Sequence, residues 1–181
     1  MSKNEVVVID TETTSKYKEN ALIVEIAAIK LDYNSFNHQI LYNSLCNPNL
    51  TRKMLEQTWI CRNGYIKPEE ILKAKPDSII AKELRSVIHN YQWTTFNLEY
   101  DGAILARKPW NISKNKSKCI MKSAKPVCGI PHHFYGIKFP SLNEAIKILL
   151  NQSQPEAHRA LDDATMATEV LIYLIENDLY E

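Results

Sequence analysis

Val6-Val7-Val8-Ile9-Asp10-Thr11-Glu12-Thr13-Thr14 is the stretch that decides the fold. Four consecutive β-branched residues read as a buried strand, because such side chains pack well on a pleated surface. Side chains alternate along a strand, so Asp10 and Glu12, at its end, point to the same side. Two carboxylates so close repel each other unless a cation sits between them, and an oxygen-only pair suits a hard ion such as Mg²⁺ or Mn²⁺. Asp-x-Glu alone is common, and a strand ending in a polar turn would look the same.

Outward from that strand, residues 15–20 form a polar connection and residues 21–31 a second apolar run, broken by Glu25. Turn residues fill 32–37 and a third strand follows over 38–45, which predicts an antiparallel meander of three. Residues 51–58 and 68–74 read as short helices around a loop carrying Asn63-Gly64. Pro76-Asp77 then opens a longer helix with Ile79, Ile80, Leu84, Val87 and Ile88 at helical spacing. Residues 92–97 read as a fourth strand, 101–107 as a helix and 120–121 as part of a fifth strand. Ser141 and Glu144 make a capping box for a helix over 141–151, and Pro155 separates it from a final helix over 160–177. That helix carries Leu161, Ala164, Thr168, Leu171 and Ile175 as one stripe. Strands joined through helices pair in parallel, so this order predicts a mixed α/β sheet, a three-stranded meander plus parallel strands, with helices on both faces. The length suits a single domain spanning residues 1–181.

Composition excludes several classes. With 45% hydrophobic and 24% charged residues and a net charge of +1, the chain reads as an ordinary globular protein whose total charge names no partner. No apolar run is long enough for a membrane span, and acids appear within the first turns of sequence where a signal peptide would be apolar, so a cytoplasmic location is expected. Cys46, Cys61, Cys119 and Cys128 form no Cys-x-x-Cys pair, which argues against a disulfide framework. Cys119, Cys128, His132 and His133 fit no usual zinc spacing and read as structural or surface residues.

Charge is unevenly distributed. Between Gly102 and Asn143 lie Arg107, Lys108, Lys114, Lys116, Lys118, Lys122, Lys125 and Lys138 with no acid, so the other segments together carry net −7 within a total of +1. Trp110, Phe134, Tyr135 and Phe139 are interleaved with those cations, the mixture that single-stranded nucleic acid uses for phosphate contact and base stacking. A solvated lysine-rich loop with core aromatics is the competing reading.

Two more acidic positions join the first pair. Asp101 follows the fourth strand, within Asn97-Leu98-Glu99-Tyr100-Asp101, and His158-Arg159-Ala160-Leu161-Asp162-Asp163 places a histidine ahead of the last helix with two acids in its first turn. Helix capping and the helix dipole explain each locally. Taken together and in order, these residues resemble the DEDD 3′-to-5′ exonucleases, the DnaQ-like group with a ribonuclease H-like fold. Asp10-Thr11-Glu12-Thr13-Thr14 stands for the first motif, Asn97 with Asp101 and Leu105 for the second, and His158 with Asp163 for the third. Ile23-Val24-Glu25-Ile26-Ala27 is similar to the family's second strand, and Cys119 to Lys125 to its short segment before the final helices. A histidine five positions before the last acid points to the histidine (DEDDh) subclass.

Departures from the pattern are Ser15 where a glycine is usual, Phe96 where a histidine often precedes Asn97, and Tyr100 where a phenylalanine is usual. The third motif also holds a local conflict: Asp162 would share a face with His158 if both were helical, whereas the resemblance selects Asp163 with His158 on the preceding loop.

The resemblance implies two divalent cations, Mg²⁺ or Mn²⁺, with Asp10 bridging, Glu12 and Asp163 on the first ion, and Asp101 at one remove or through water. It leaves His158 as general base, a role suited to imidazole because its ordinary pKa near 6.5 fits proton removal at neutral pH. Thr13 and Thr14 are expected to face the terminal sugar, with Asn97 and Lys122 as further substrate contacts, and Glu25 is expected to be structural. The expected substrate is the 3′ end of nucleic acid, single-stranded and DNA ahead of RNA, cut to nucleoside monophosphates. A DNA polymerase and a second copy of the chain are candidate partners. The alternative is a non-catalytic nucleic-acid or polymerase-interaction module of the same fold.

Overall fold

The computed structural model describes residues 4–134, 136–153 and 158–180. Its sheet is built on β1 (Glu5–Thr13), which pairs antiparallel with β2 (Ile23–Asp32), itself antiparallel to β3 (His38–Leu45). Three short helices follow, α1 (Arg52–Glu56), α2 (Trp59–Arg62) and α3 (Pro68–Lys73), and then the longer α4 (Asp77–Ile88). β4 (Gln92–Thr94) lies parallel to β1, giving the order β3-β2-β1-β4. The remaining elements are α5 (Leu98–Leu105), α6 (Ile120–Cys128), a small hairpin of β5 (Pro131–His132) and β6 (Gly136–Ile137), α7 (Leu142–Leu149) and α8 (Ala160–Glu176). This is the mixed sheet with helices on both faces that the residue pattern predicts, in the ribonuclease H-like arrangement that the resemblance implies.

β1 is central, and its alternation feeds two cores. Val7 and Ile9 pack with Ile80, Leu84 and Ile88 of α4 and Ile104 and Leu105 of α5; Val6 and Val8 pack with Ile120, Ala145, Met166 and Val170 of α6, α7 and α8. All four strand residues are fully buried, each contributing about 1.5–3 kcal/mol relative to exposure. A third cluster matters for the site. Leu55, Ile60, Ile66 and Ile71 of the α1–α3 region pack on Val24 of β2 and seat those short helices against the sheet.

Three expectations are corrected. Ile120 and Met121 open α6 rather than a fifth strand: Ile120, Ala124 and Cys128 recur at helical spacing and are buried, and Gly129 closes the helix at φ +57°. The fifth pairing lies a few residues earlier, where Trp93 N donates to Asn115 O and Ser117 N to Trp93 O around a parallel bridge of Trp93 with Lys116. The helix after β4, α5, spans 98–105 rather than 101–107, because Asn97 caps it, its side chain accepting from Tyr100 N. Along α8 the buried face is broader than the expected stripe: Ala164, Thr168 and Leu171 are buried as expected and are joined by Ala160, Met166, Ala167, Val170 and Leu174, while Leu161 and Ile175 are only half-buried. The Ser141–Glu144 capping box forms as expected, with Glu144 N donating to Ser141 Oγ and Ser141 N to Glu144 Oε2. Pro155 and Tyr135 lie outside the described residues.

Candidate active site

β1 delivers Asp10 and Glu12 to its carboxyl end, and its pairing with β2 shifts register between Glu12 and Thr13, where the strand leaves the sheet. α5 begins just beyond β4, so Asp101, in its first turn, reaches the same end of the sheet. Asp163 comes from the first turn of α8 and His158 from the segment ahead of it. Asp10, Glu12, Asp101, Asp163 and His158 all line one cavity of about 870 Å³, together with Thr13 and Thr14. Asp162 is exposed. His158 stands outside the helix at φ +46°, so the shared-face argument for Asp162 lapses.

Ligand-type atoms of Glu12, His158 and Asp163 lie within 4.8 Å of one another. Asp101 is held slightly apart, accepting a 2.6 Å hydrogen bond from Thr11 Oγ1. So many carboxylates in one buried space oppose ionisation. Burial, reinforced by Asp101, Asp163, Glu12 and Glu25, pushes the Asp10 carboxyl well above the usual carboxylate range. Burial and then Asp163, Glu25 and Asp101 push Glu12 up to about 8, with Arg159 opposing. Asp101 is pushed up to about 6 by burial, against the Thr11 hydrogen bond. An oxygen-rich set that resists carrying its own negative charge is what a bound divalent cation relieves, so the donors present fit such an ion.

Glu25 lies directly across the β1–β2 ladder from Glu12 and adds to this repulsion, which Arg159 partly offsets. Arg159 clamps it, Nη2 donating to Oε1 at 2.7 Å and Nε to Oε2 at 3.0 Å, while Ala160 N donates to Oε2 at 3.0 Å. Glu25 therefore caps α8 from the neighbouring strand and fixes where the helix carrying Asp163 begins. Its structural assignment from sequence agrees with this geometry, though the partner was not legible.

The loop after β1 is fastened by α5. The Tyr100 hydroxyl donates to Ser15 O and lies 2.7 Å from Thr13 Oγ1, Lys18 pairs with Glu99 at 3.2 Å, and Arg107 donates to Glu19 O and Ala21 O. Two of the departures noted in the sequence, Ser15 and Tyr100, thus meet in one hydrogen bond. Thr14 Oγ1 accepts from Leu22 N and closes the base of the loop.

Asn97 and Lys122 do not reach the acidic cavity. They line an adjoining groove with Met121 and Phe139, which shares Lys16, Tyr17 and Tyr100 with it. The basic segment is divided. Trp110 is buried and its carbonyl accepts from Arg85, so it is no stacking surface. Arg107 is spent on the loop, Lys116 lies over the Trp93 ring and Lys138 pairs with Glu144. Phe134 and Phe139 remain exposed, at 86% and 46%, with Lys125 Nζ 4.3 Å from the Phe139 ring centroid. Cys119 Sγ donates to Phe96 O, and among the described residues neither it nor His132 or His133 joins a group of close metal-type donors.

Sequence reasoning missed part of the cavity's lining. Trp59 and Arg62 of α2 line it along with Lys16 and Tyr17 of the loop, an aromatic and a cation from each segment. The i, i+3 spacing of Trp59 and Arg62 on one helix face was the available signal.

A ribonuclease H-like sheet with an acid-lined cavity at the end of its central strand is the build of a nuclease. The chain belongs to the RNase_T exonuclease family, whose model matches residues 7–171. No curated protein matches it by sequence. Among solved structures it is similar to cell-death related nuclease 4 (CRN-4), at TM-score 0.71 and 14% identity, covering 96% of this chain and 64% of that one. It is also similar to the nuclease domain of 3′hExo, described as a DEDDh family member bound to rAMP, at TM-score 0.68 and 13% identity over 99% and 96% of the two chains. E. coli Exonuclease I in complex with a dT13 oligonucleotide matches at TM-score 0.68 and 15% identity, over 95% of this chain and 41% of that one. At such identities these likenesses speak to the fold.

Proposed function

We propose that the protein is a metal-dependent 3′-to-5′ exonuclease of the histidine subclass, removing nucleoside monophosphates from the 3′ end of a single strand, DNA ahead of RNA. The observation that carries this reading is the convergence of Asp10, Glu12, Asp101, Asp163 and His158, from three separate parts of the chain, on one cavity. Membership of an exonuclease family supports it.

In this reading Asp10, Glu12 and Asp163 hold two divalent cations, with Asp101 in support, and the ions supply the positive charge that shelters the phosphate in transfer. His158 takes the proton from the attacking water, within reach of Glu12 and Asp163. Lys16 and Arg62, both lining the cavity, meet phosphates, while Tyr17 and Trp59, 62% and 52% exposed, offer surfaces on which bases stack. The upstream strand continues along the groove of Lys122 and Phe139. The filled acidic set disfavours a non-catalytic module, which has no need to keep mutually repelling carboxylates. The test is digestion of matched, end-labelled single- and double-stranded DNA and RNA with Mg²⁺ or Mn²⁺. Shortening from the 3′ end supports the reading, the preferred strand scores the choice of sugar, and internal cleavage overturns it.

A further inference from the structure

His158 adopts a left-handed backbone conformation, φ +46°, uncommon for a residue other than glycine. Two aromatic rings from a distant segment meet its side chain. The Tyr65 ring centroid lies 4.3 Å from that of the imidazole at 63°, and the Trp59 centroid lies 4.8 Å away at 87°. Trp59 and Tyr65 also touch each other, at 5.2 Å. Both imidazole contacts are edge-to-face, the arrangement aromatic rings prefer.

These two rings are not free to drift. Tyr65 N donates to Ile60 O across a turn in which Gly64 takes φ +77°. Ile60 and Ile66, which flank the ring-bearing positions, are buried with Leu55 and Ile71 against Val24 of β2. The next residue of β2, Glu25, holds Arg159 and Ala160, the two residues that follow His158. One strand therefore anchors the histidine from two directions, by its backbone through Glu25 and by its ring through the helices seated on Val24.

We propose that Trp59 and Tyr65 are positioning residues that hold the His158 imidazole edge-on, with a ring nitrogen turned toward Glu12 and Asp163. The inference rests on the role given to His158 above, and it assigns a task to α1–α3 beyond covering the sheet. Trp59 lines the cavity and also faces substrate, so it cannot separate the two roles. Tyr65 does not line the cavity and can.

The experiment uses Tyr65→Leu, which keeps apolar bulk and removes the ring, and Tyr65→Phe, which keeps the ring. In the metal-free protein, NMR of the His158 ring protons should show a ring-current displacement in wild type and Tyr65→Phe that changes in Tyr65→Leu as the Tyr65 contribution is lost and only that of Trp59 remains. Turnover in Tyr65→Leu should fall about 10- to 100-fold at little changed KM, the scale expected of a slightly misplaced catalytic group. In a His158→Ala background the same substitution should cost nothing further. An unchanged ring-proton shift in Tyr65→Leu, an equal loss in both backgrounds, or a rise in KM alone would overturn the proposal. Full activity of His158→Ala would instead remove the histidine's hydrolytic role, leaving the NMR shift to decide the contact by itself. If Tyr65→Leu does not fold, Trp59→Leu, at a half-exposed position, carries the same spectroscopic test.

Discussion

Replacing Glu12 by Gln asks whether the acidic cavity costs the metal-free protein stability. Glu12 is 9% exposed, and its carboxyl is pushed from 4.5 up to about 8. The folded chain then holds this proton more tightly than the unfolded chain. Stability is full below the unfolded pKa, is lost as pH climbs toward the folded value, and is constant above it. At about pH 7 the deficit has accumulated over about 2.5 pH units, on the order of 3 kcal/mol at about 1.4 kcal/mol per unit. Glutamine keeps the shape and cannot ionise. In EDTA at about pH 7, Glu12→Gln should therefore melt roughly 6–12 °C above wild type, using about 2–4 °C per kcal/mol for a chain of this length. The two melting curves should converge below about pH 4, where the wild-type carboxyl is protonated in both states. Mg²⁺ or Mn²⁺ should raise the wild-type Tm, more so at higher pH, and raise the variant's less. Thermal melts across this pH range decide the matter. A variant less stable than wild type at neutral pH in EDTA, or a gap that does not widen with pH, would refute the reasoning.

The other predictions concern the base, the clamp and the direction of attack. At saturating metal, His158→Ala should lower turnover roughly 10²- to 10⁴-fold and remove the acidic limb of the pH–rate profile, since only a neutral imidazole accepts a proton; a variant keeping rate and limb would make another group the base. Arg159→Ala leaves the Glu25 carboxylate, only 3% exposed, with a single backbone donor. It should cost about 3 kcal/mol by urea unfolding, and Arg159→Lys should recover only part because it lacks the two-pronged donor set; a loss near zero would mean the pair re-solvates freely. A 3′-blocked or circular single strand should resist digestion, and cutting of closed circles would reveal an endonuclease.

Local signals in the sequence carried much of the fold. The Val6–Ile9 run is central and buried, the Ser141–Glu144 box caps α7, and α8 begins at Ala160 as expected. Short elements were harder. Ile120, Ala124 and Cys128 mark a helix only when followed over the full nine residues of α6, and two of them read alone pass for a strand. At the site, the acids and His158 were legible as ordered motifs, and the structure brings them to one cavity. What escaped was tertiary. Arg159 meets Glu25 across 134 residues of chain, and Trp59 and Tyr65 meet His158 across nearly a hundred, distances at which no periodicity signals contact. Trp110 misleads for the complementary reason: a tryptophan among lysines looks exposed until it is found buried in the cluster that holds Ile80 and Leu84 of α4.

The most direct measurement is the fate of a 5′-labelled single strand incubated with purified protein and Mg²⁺ or Mn²⁺, wild type beside Asp10→Ala. The account predicts a ladder that shortens from the 3′ end with wild type. It predicts none in EDTA, recovery when the cation is returned, and none with an Asp10→Ala protein whose circular dichroism is unchanged. Hydrolysis that persists in EDTA, or in the Asp10→Ala protein, would contradict it.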